Sequence, residues 1–207
     1  MTTTRAAIAG LLVGLASGAV AAAGDLRITS PSFEQNAVMP PGPTCDGNGA
    51  SPELQFHGVP PAAKSLVLIV VDPDVPRAIK SDGRYLHWAL WDVPPDTTEI
   101  PGGQGRRGLN EAGHGTYIAA CPPNGEHRYV FQLFALDSTL GNARISSEAD
   151  LRREMEGHVL EQAELVGRYT TRAFRVIRIV LVLIGAIVAA MAVRFVVLRR
   201  RAARERD

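Results

Sequence analysis

Two carboxylates and two histidines are the residues whose types and spacing could do chemistry in this chain. Asp72 and Asp74 alternate with prolines directly after an apolar run. In an extended chain, residues two apart point to the same side, so both carboxylates are predicted to line one wall of a small pocket. A plain Asp-Pro-Asp turn is the alternative. His127 and Tyr129 share this spacing; taken singly, His87 and His127 are better explained as structural residues.

Apolar runs predict the strands that position these groups. Residues 66–71 are six consecutive apolar residues, most of them β-branched. This pattern indicates a central strand that is covered on both faces. Pro73 and Pro76 then end the strand and turn the chain. The other predicted strands cover residues 26–33, 54–56, 85–93 and 127–136.

One helix is predicted in the second half of the chain. Ser147 and Asp150 form a loose capping box. From Leu151 to Val166, apolar residues recur at helical spacing, weakened by Gly157. Several strands punctuated by proline and glycine, with one late helix, predict a mainly β domain with antiparallel strands and peripheral helices.

Both ends of the chain have the composition of targeting segments. Residues 1–23 carry a lone arginine, an apolar run and three closing alanines, which is the layout of a cleavable secretory signal; an uncleaved anchor is the alternative. Residues 176–198 are long and apolar enough to cross a bilayer, and a buried core helix is the alternative. The arginine-rich tail, 199–207, then lies in the cytoplasm by the positive-inside rule. Residues 24–172 are thus predicted to form an extracytoplasmic domain, held at the cell membrane by a single span.

Charge and cysteine content support this division. Residues 24–172 hold 13 Lys and Arg against 19 Asp and Glu, a net charge of −6 that argues against nucleic-acid binding. Cys45 and Cys121 are the only cysteines, and in an exported domain they favour a disulfide. The chain-entropy treatment gives such a bond ~4–5 kcal/mol of stabilisation. Two free thiols, or a reactive Cys121, are the alternatives. No metal-binding motif is present.

Several motifs occur in an order that points to a known family. They are Thr44-Cys45-Asp46-Gly47, Ser51-Pro52, Asp72-Pro73-Asp74-x-Pro76, His87-Trp88, Cys121-Pro122-Pro123-x-Gly125-x-His127-Arg128-Tyr129, Ala135-Leu136-Asp137, Gly157-His158-Val159-Leu160 and Glu164-Leu165-Val166-Gly167-x-Tyr169. Together they resemble the phosphatidylethanolamine-binding protein family, in its bacterial branch of Raf-kinase-inhibitor-like proteins. The likeness covers about residues 28–169.

The resemblance implies two antiparallel sheets and a small pocket for phosphate-like anions or phospholipid headgroups. Cationic histidines, Tyr129 and backbone amides must then outweigh the two carboxylates, so binding should weaken as pH rises. At the pocket mouth, residues 116–121 read Thr-Tyr-Ile-Ala-Ala-Cys, where the family usually has Gly-Tyr-x-Gly-Pro-Cys. The residues expected at the pocket are Asp72, Asp74, Tyr85, His87, Tyr117, Pro122, His127 and Tyr129.

The function predicted from the sequence is that of a membrane-anchored binding module, not an enzyme, with no cofactor. Its ligand is a small anion of the phosphate or phospholipid-headgroup type. A first alternative is a module that binds or inhibits an envelope or external protein. A second is a hydrolase that uses an aspartate–histidine pair as acid and base, although no nucleophile elbow or phosphate loop is present.

Overall fold

The computed structural model describes residues 25–100, 108–141 and 143–204 of the chain. The predicted signal segment, residues 1–23, lies outside the described residues. The strands are β1 Arg27–Thr29, β2 Ala37–Val38, β3 Leu54–His57, β4 Ser65–Asp72, β5 Tyr85–Val93, β6 Glu99–Ile100, β7 Gly108–Leu109, β8 His127–Leu136 and β9 Val159–Tyr169, and the helices are α1 Glu148–Glu154 and α2 Arg172–Arg204.

The strands form two sheets. The larger has the order β2-β9-β8-β4-β5-β7, and the smaller has the order β1-β3-β6. Neighbouring strands are antiparallel except β2 and β9, which pair in parallel. The predicted fold of two largely antiparallel sheets with peripheral helices is therefore confirmed, with this one parallel pairing added.

Strand β4 is central in the larger sheet, as the apolar run predicted. All eight of its residues are buried, because β8 and β5 flank it and both faces are covered. Leu68 and Val70 pack into the core between the two sheets. Val67 and Ile69 face the other way, into a second core that includes Leu151 of α1. Such two-sided burial explains why the strand reads as a continuous apolar run.

The predicted helix is wrong beyond its first two turns. Ser147 does cap α1, since its side chain accepts a hydrogen bond from the backbone N–H of Asp150 at 3.1 Å. The helix ends at Glu154, however, and Gly157 follows with φ 78°, a conformation that turns the chain away. The helically spaced residues Val159 and Val166 belong instead to β9, where pairing with β8 determines the structure.

A long helix follows the sheet domain. Within α2, the 24 residues Arg172–Phe195 are long and apolar enough to cross a membrane. None of its most apolar window is buried against the described part of the chain. This exposure argues against a buried core helix and leaves the apolar surface of α2 uncovered by the domain.

Four neighbouring strands of the larger sheet have a terminal residue at the same end of the sheet. Asp72, the last residue of β4, pairs with Tyr85, the first of β5. His127, the first residue of β8, pairs with Tyr169, the last of β9. The chemically interesting residues are thereby collected at the end of the sheet from which α2 departs.

Candidate functional site

A small cavity lies at this end of the sheet. Its volume is about 260 Å³. Larger hollows of about 410 and 570 Å³ lie elsewhere on the domain, one among the charged residues beside α1 and one between β1 and β9. We single out the smaller cavity because three of the predicted site residues, Asp72, Tyr85 and His87, line it. Its walls are formed by Asp72, Val75, Ile79, Tyr85, His87, Ile118, Ala119, Cys121 and Pro123.

A buried aspartate–histidine pair supports the cavity wall. Asp72 Oδ2 lies 2.7 Å from His127 Nδ1, and the two side chains are only 3% and 4% exposed. His127 Nε2 lies 3.2 Å from Asn124 Oδ1, so each ring nitrogen has a polar neighbour. These contacts fix the position of the Asp72 carboxylate beside the cavity.

Asp74 is directed to a different partner. Its backbone N–H donates to Asp72 Oδ1 at 2.8 Å, so the chain bends here and the assumed extended geometry is wrong. The Asp74 carboxylate accepts two hydrogen bonds from the Arg128 guanidinium, at 2.7 and 2.9 Å. These bonds hold the pKa of Asp74 below its usual value. Asp74 thus braces the start of β8 and is not among the residues that line the cavity.

His87 presents the cavity with a polar ring on an otherwise largely apolar wall. Its Nδ1 donates to the backbone carbonyl of Ile118 at 2.7 Å. Nε2 makes no hydrogen bond to the described residues and is the nitrogen available to a ligand. Burial lowers the pKa of His87, which favours the neutral ring near pH 7.

Aromatic rings enclose His87. The centroids of Tyr85 and Tyr129 lie 5.0 and 5.1 Å from its ring, and that of Tyr117 lies at 6.3 Å. Tyr117 donates its hydroxyl to the Pro43 carbonyl, and burial raises its pKa. Tyr129 is fully buried, and its hydroxyl has no partner among the described residues. Tyr85 lines the cavity, whereas Tyr117 and Tyr129 stand behind His87.

A disulfide closes the cavity wall. Cys45 and Cys121 are bonded, with their Cα atoms 5.3 Å apart, so the disulfide prediction agrees with the structure. The bond ties the loop 41–49 to the wall segment 118–123. Next to it, Gly47 approaches the backbone so closely that a Cβ would lie 2.1 Å from the Pro41 carbonyl oxygen. Only glycine fits there without moving the loop.

Sequence reasoning missed part of the cavity lining. Val75 and Ile79, in the loop between β4 and β5, line the cavity and are not among the residues predicted there. Pro123 reaches the cavity, and its predicted neighbour Pro122 is buried behind it. The unusual mouth sequence does fall on the wall, where Ile118 and Ala119 contribute side chains. For Ile79, the available signal was an apolar residue within the mostly polar segment 77–84.

Three of the residues that line the cavity are polar, namely Asp72, Tyr85 and His87. Within the described part of the chain, the lining includes no serine or threonine, and its one cysteine, Cys121, is in the disulfide. Among the described residues, no group of three or more histidine, cysteine, aspartate or glutamate side chains could hold a metal ion. The other lining residues are mostly apolar, so the cavity combines an apolar wall with one imidazole, one carboxylate and one phenol.

Comparisons with known proteins agree on one family. A family model described as phosphatidylethanolamine-binding protein matches residues 29–170. A UPF0098 protein of Chlamydia pneumoniae is 44% identical over 147 residues, which cover 70% of this chain and 98% of the relative. A UPF0098 protein of Methanothermobacter thermautotrophicus is 38% identical over 154 residues, again 70% of this chain and 98% of the relative.

Two solved structures extend the comparison. The crystal structure of a phosphatidylethanolamine-binding protein homologue of Chlamydia trachomatis superposes with a TM-score of 0.67 at 38% identity, covering 70% of this chain and 97% of that one. E. coli YbcL superposes with a TM-score of 0.61 at 24% identity, covering 72% of this chain and all of that one, which is a likeness of fold alone. These matches span about seven tenths of the chain.

Proposed function

This chain belongs to the phosphatidylethanolamine-binding protein family, and from that premise we propose that it is a membrane-anchored, extracytoplasmic binding module. Its ligand is a small anionic group of the phosphate or phospholipid-headgroup type. The binding site is the cavity beside His87. The proposal treats the domain as a binding module and not as an enzyme. The observation that carries it is the free Nε2 of a buried histidine on the wall of an otherwise largely apolar cavity.

The electrostatics favour an anion once His87 takes up a proton. Asp72 lies on the wall, but one of its carboxylate oxygens is engaged by His127 and the other by the backbone N–H of Asp74. A phosphate oxygen near Nε2 stabilises the protonated ring by a charge-assisted hydrogen bond, so the pKa of His87 rises from its lowered value when the ligand binds. Binding is therefore coupled to proton uptake at one named nitrogen.

The sign of the pH dependence follows from this coupling. Burial lowers the pKa of His87 in the free protein, and the bound anion raises it. Affinity is therefore highest at acidic pH and falls as pH rises from the free pKa to the bound pKa. Above the bound pKa, the neutral ring offers only a weak contact and the affinity levels off.

Anchoring is supported by several features of the chain. The apolar surface of α2 is left exposed, and the tail 199–207 is rich in arginine. The disulfide between Cys45 and Cys121 suits an oxidising compartment. The leader-like composition of residues 1–23 accounts for export.

We expect His87→Asn to weaken binding about ten- to hundredfold at pH ~6, because a charge-assisted hydrogen bond contributes ~1.5–3 kcal/mol and ~1.4 kcal/mol is tenfold. Asparagine can still donate to the Ile118 carbonyl, as Nδ1 does, but it lacks the titrating nitrogen. The difference should shrink at pH ~8, where the wild-type ring is neutral in more of the molecules. The measurement is calorimetric titration of the full chain in maltoside micelles with glycerophosphoethanolamine, whose phosphodiester keeps a single charge over this range.

His158→Asn is the matched control, because His158 is half-exposed at the opposite end of the domain and contacts Asp137. This variant should bind like the wild type at both pH values. Equal affinity of wild type and His87→Asn at the lower pH would contradict the proposal. The ligand is recovered afterwards, and its conversion would favour the hydrolase alternative, for which the 2.7 Å contact between Asp72 and His127 is the supporting observation.

A further inference from the structure

The cavity and the long helix lie at the same end of the domain. The cavity residues Asp72 and Tyr85 are the end of β4 and the beginning of β5. β9 finishes at the same end of the sheet. Only two residues separate its last residue, Tyr169, from the first residue of α2, Arg172. The chain between these two residues spans at most about 11 Å.

One carboxylate joins the cavity wall to the start of this helix. Asp46 Oδ2 accepts a hydrogen bond from the Tyr169 hydroxyl at 2.7 Å and another from the backbone N–H of Arg172 at 2.6 Å. These two bonds hold the pKa of Asp46 below its usual value. Asp46 follows Cys45, which is bonded to Cys121 on the cavity wall. The helix is therefore connected to the wall through an ionised cap and a covalent bond.

The end of α2 that is nearest the domain is basic. Arg172, Arg175 and Arg178 precede or interrupt the beginning of the apolar run. The guanidinium of Arg175 lies 5.8 Å from the centre of the Tyr169 ring. Residues 172–175 extend only about 6 Å along the helix, and the headgroup layer of one leaflet is about 5–8 Å thick. Arginines this close to the start of a membrane span fall at the depth of the headgroup layer.

From this arrangement we propose that the cavity end of the domain lies against the outer surface of the bilayer that anchors it, so that the cavity is presented to phospholipid headgroups of that same leaflet. The inference rests on the proposed membrane anchoring and goes beyond it by fixing which surface of the domain meets the lipid. Asp46 sets the orientation, because it prevents the two-residue link from acting as a free hinge.

Spin labels at the two ends of the domain test this orientation in the full chain reconstituted in phosphatidylethanolamine and phosphatidylglycerol vesicles. One label replaces Ile79, which is 65% exposed on the cavity rim. The other replaces the exposed Glu156, just before β9 begins. The eleven residues of β9 separate the two ends by about 35 Å. Each added cysteine is the only free thiol, since the native two are bonded.

A small fraction of lipid carrying a headgroup-chelated nickel ion supplies the relaxation agent. The nickel ion should shorten the relaxation time of the spin label at residue 79. It should leave the relaxation time of the label at residue 156 unchanged. Asp46→Ala should diminish the difference, whereas the control Asp137→Ala, at the far end, should preserve it. Equal relaxation at the two labels would overturn the proposed orientation. An undiminished difference in Asp46→Ala would overturn the role of Asp46.

The relaxation experiment fails independently of the binding proposal. If the label at residue 79 lies close to the headgroups while glycerophosphoethanolamine does not bind, the orientation stands and the ligand assignment falls. If the ligand binds while the two labels relax alike, the reverse holds. Thermal unfolding of each labelled protein verifies that the domain is folded before relaxation is compared.

Discussion

Replacing Asp72 by alanine is expected to lower the free energy of unfolding of the domain by about 3–5 kcal/mol, because two groups lose their acceptor and each buried unsatisfied group costs about 1–3 kcal/mol. The substitution leaves the His127 ring buried without its carboxylate and leaves the backbone N–H of Asp74 without its acceptor. Urea unfolding of the full chain in maltoside micelles, followed by the fluorescence of Trp88 and Trp91, measures the change. Both tryptophans are buried in β5.

Asp137 provides a matched control for this prediction. Its carboxylate lies 2.8 Å from His158 Nδ1, nearly the same contact as between Asp72 and His127, but both side chains are 48% exposed. An exposed pair contributes at most about 1 kcal/mol, so Asp137→Ala should unfold close to the wild type. If Asp72→Ala and Asp137→Ala cost the same, burial is not what gives the Asp72 pair its importance.

Removing the disulfide should cost a similar amount. Cys45 and Cys121 are 76 residues apart, and for a closed loop of this length the chain-entropy treatment gives about 4–5 kcal/mol. The double substitution Cys45→Ser and Cys121→Ser should therefore lower the free energy of unfolding by about that amount. It should also loosen the segment 118–123 that forms one cavity wall.

Reduction supplies the control for the disulfide. Wild-type protein treated with a reductant should unfold at the same urea concentration as the double variant, because both lack the bond. The double variant itself should not respond to the reductant. A double variant as stable as the oxidised wild type would show that the native loop is held in place without the bond.

The elements predicted correctly from the sequence are those in which consecutive apolar residues reveal that the segment is buried. Strand β4 is covered on both faces, so six apolar residues in a row identify it, and prolines mark its end. Strand β9 carries no such mark: residues 159–166 include Leu, Glu, Gln and Ala, which favour helices. Its conformation comes from pairing with β8, a contact that no local pattern encodes.

Some features of the site were likewise predictable from local sequence, and others were not. Asp72, His87 and His127 were predicted to lie near one another. That prediction was possible because all three lie within or at the ends of strands that the sequence reveals. The partner of Asp74 was missed, because a spacing rule for extended chain does not foresee the bend before it. The lowered pKa of His87 depends on burial by residues distant in the chain, which spacing cannot reveal.

Native mass spectrometry of the full chain, released from maltoside micelles after purification from its own membrane, tests the central claim most directly. The wild type is predicted to retain one adduct with the mass of a phospholipid or of its anionic headgroup. His87→Asn should lose that adduct, while the control His158→Asn keeps it. A wild-type protein without any adduct, or an adduct that His87→Asn retains equally, would contradict the assignment of the cavity beside His87 as an anion-binding site.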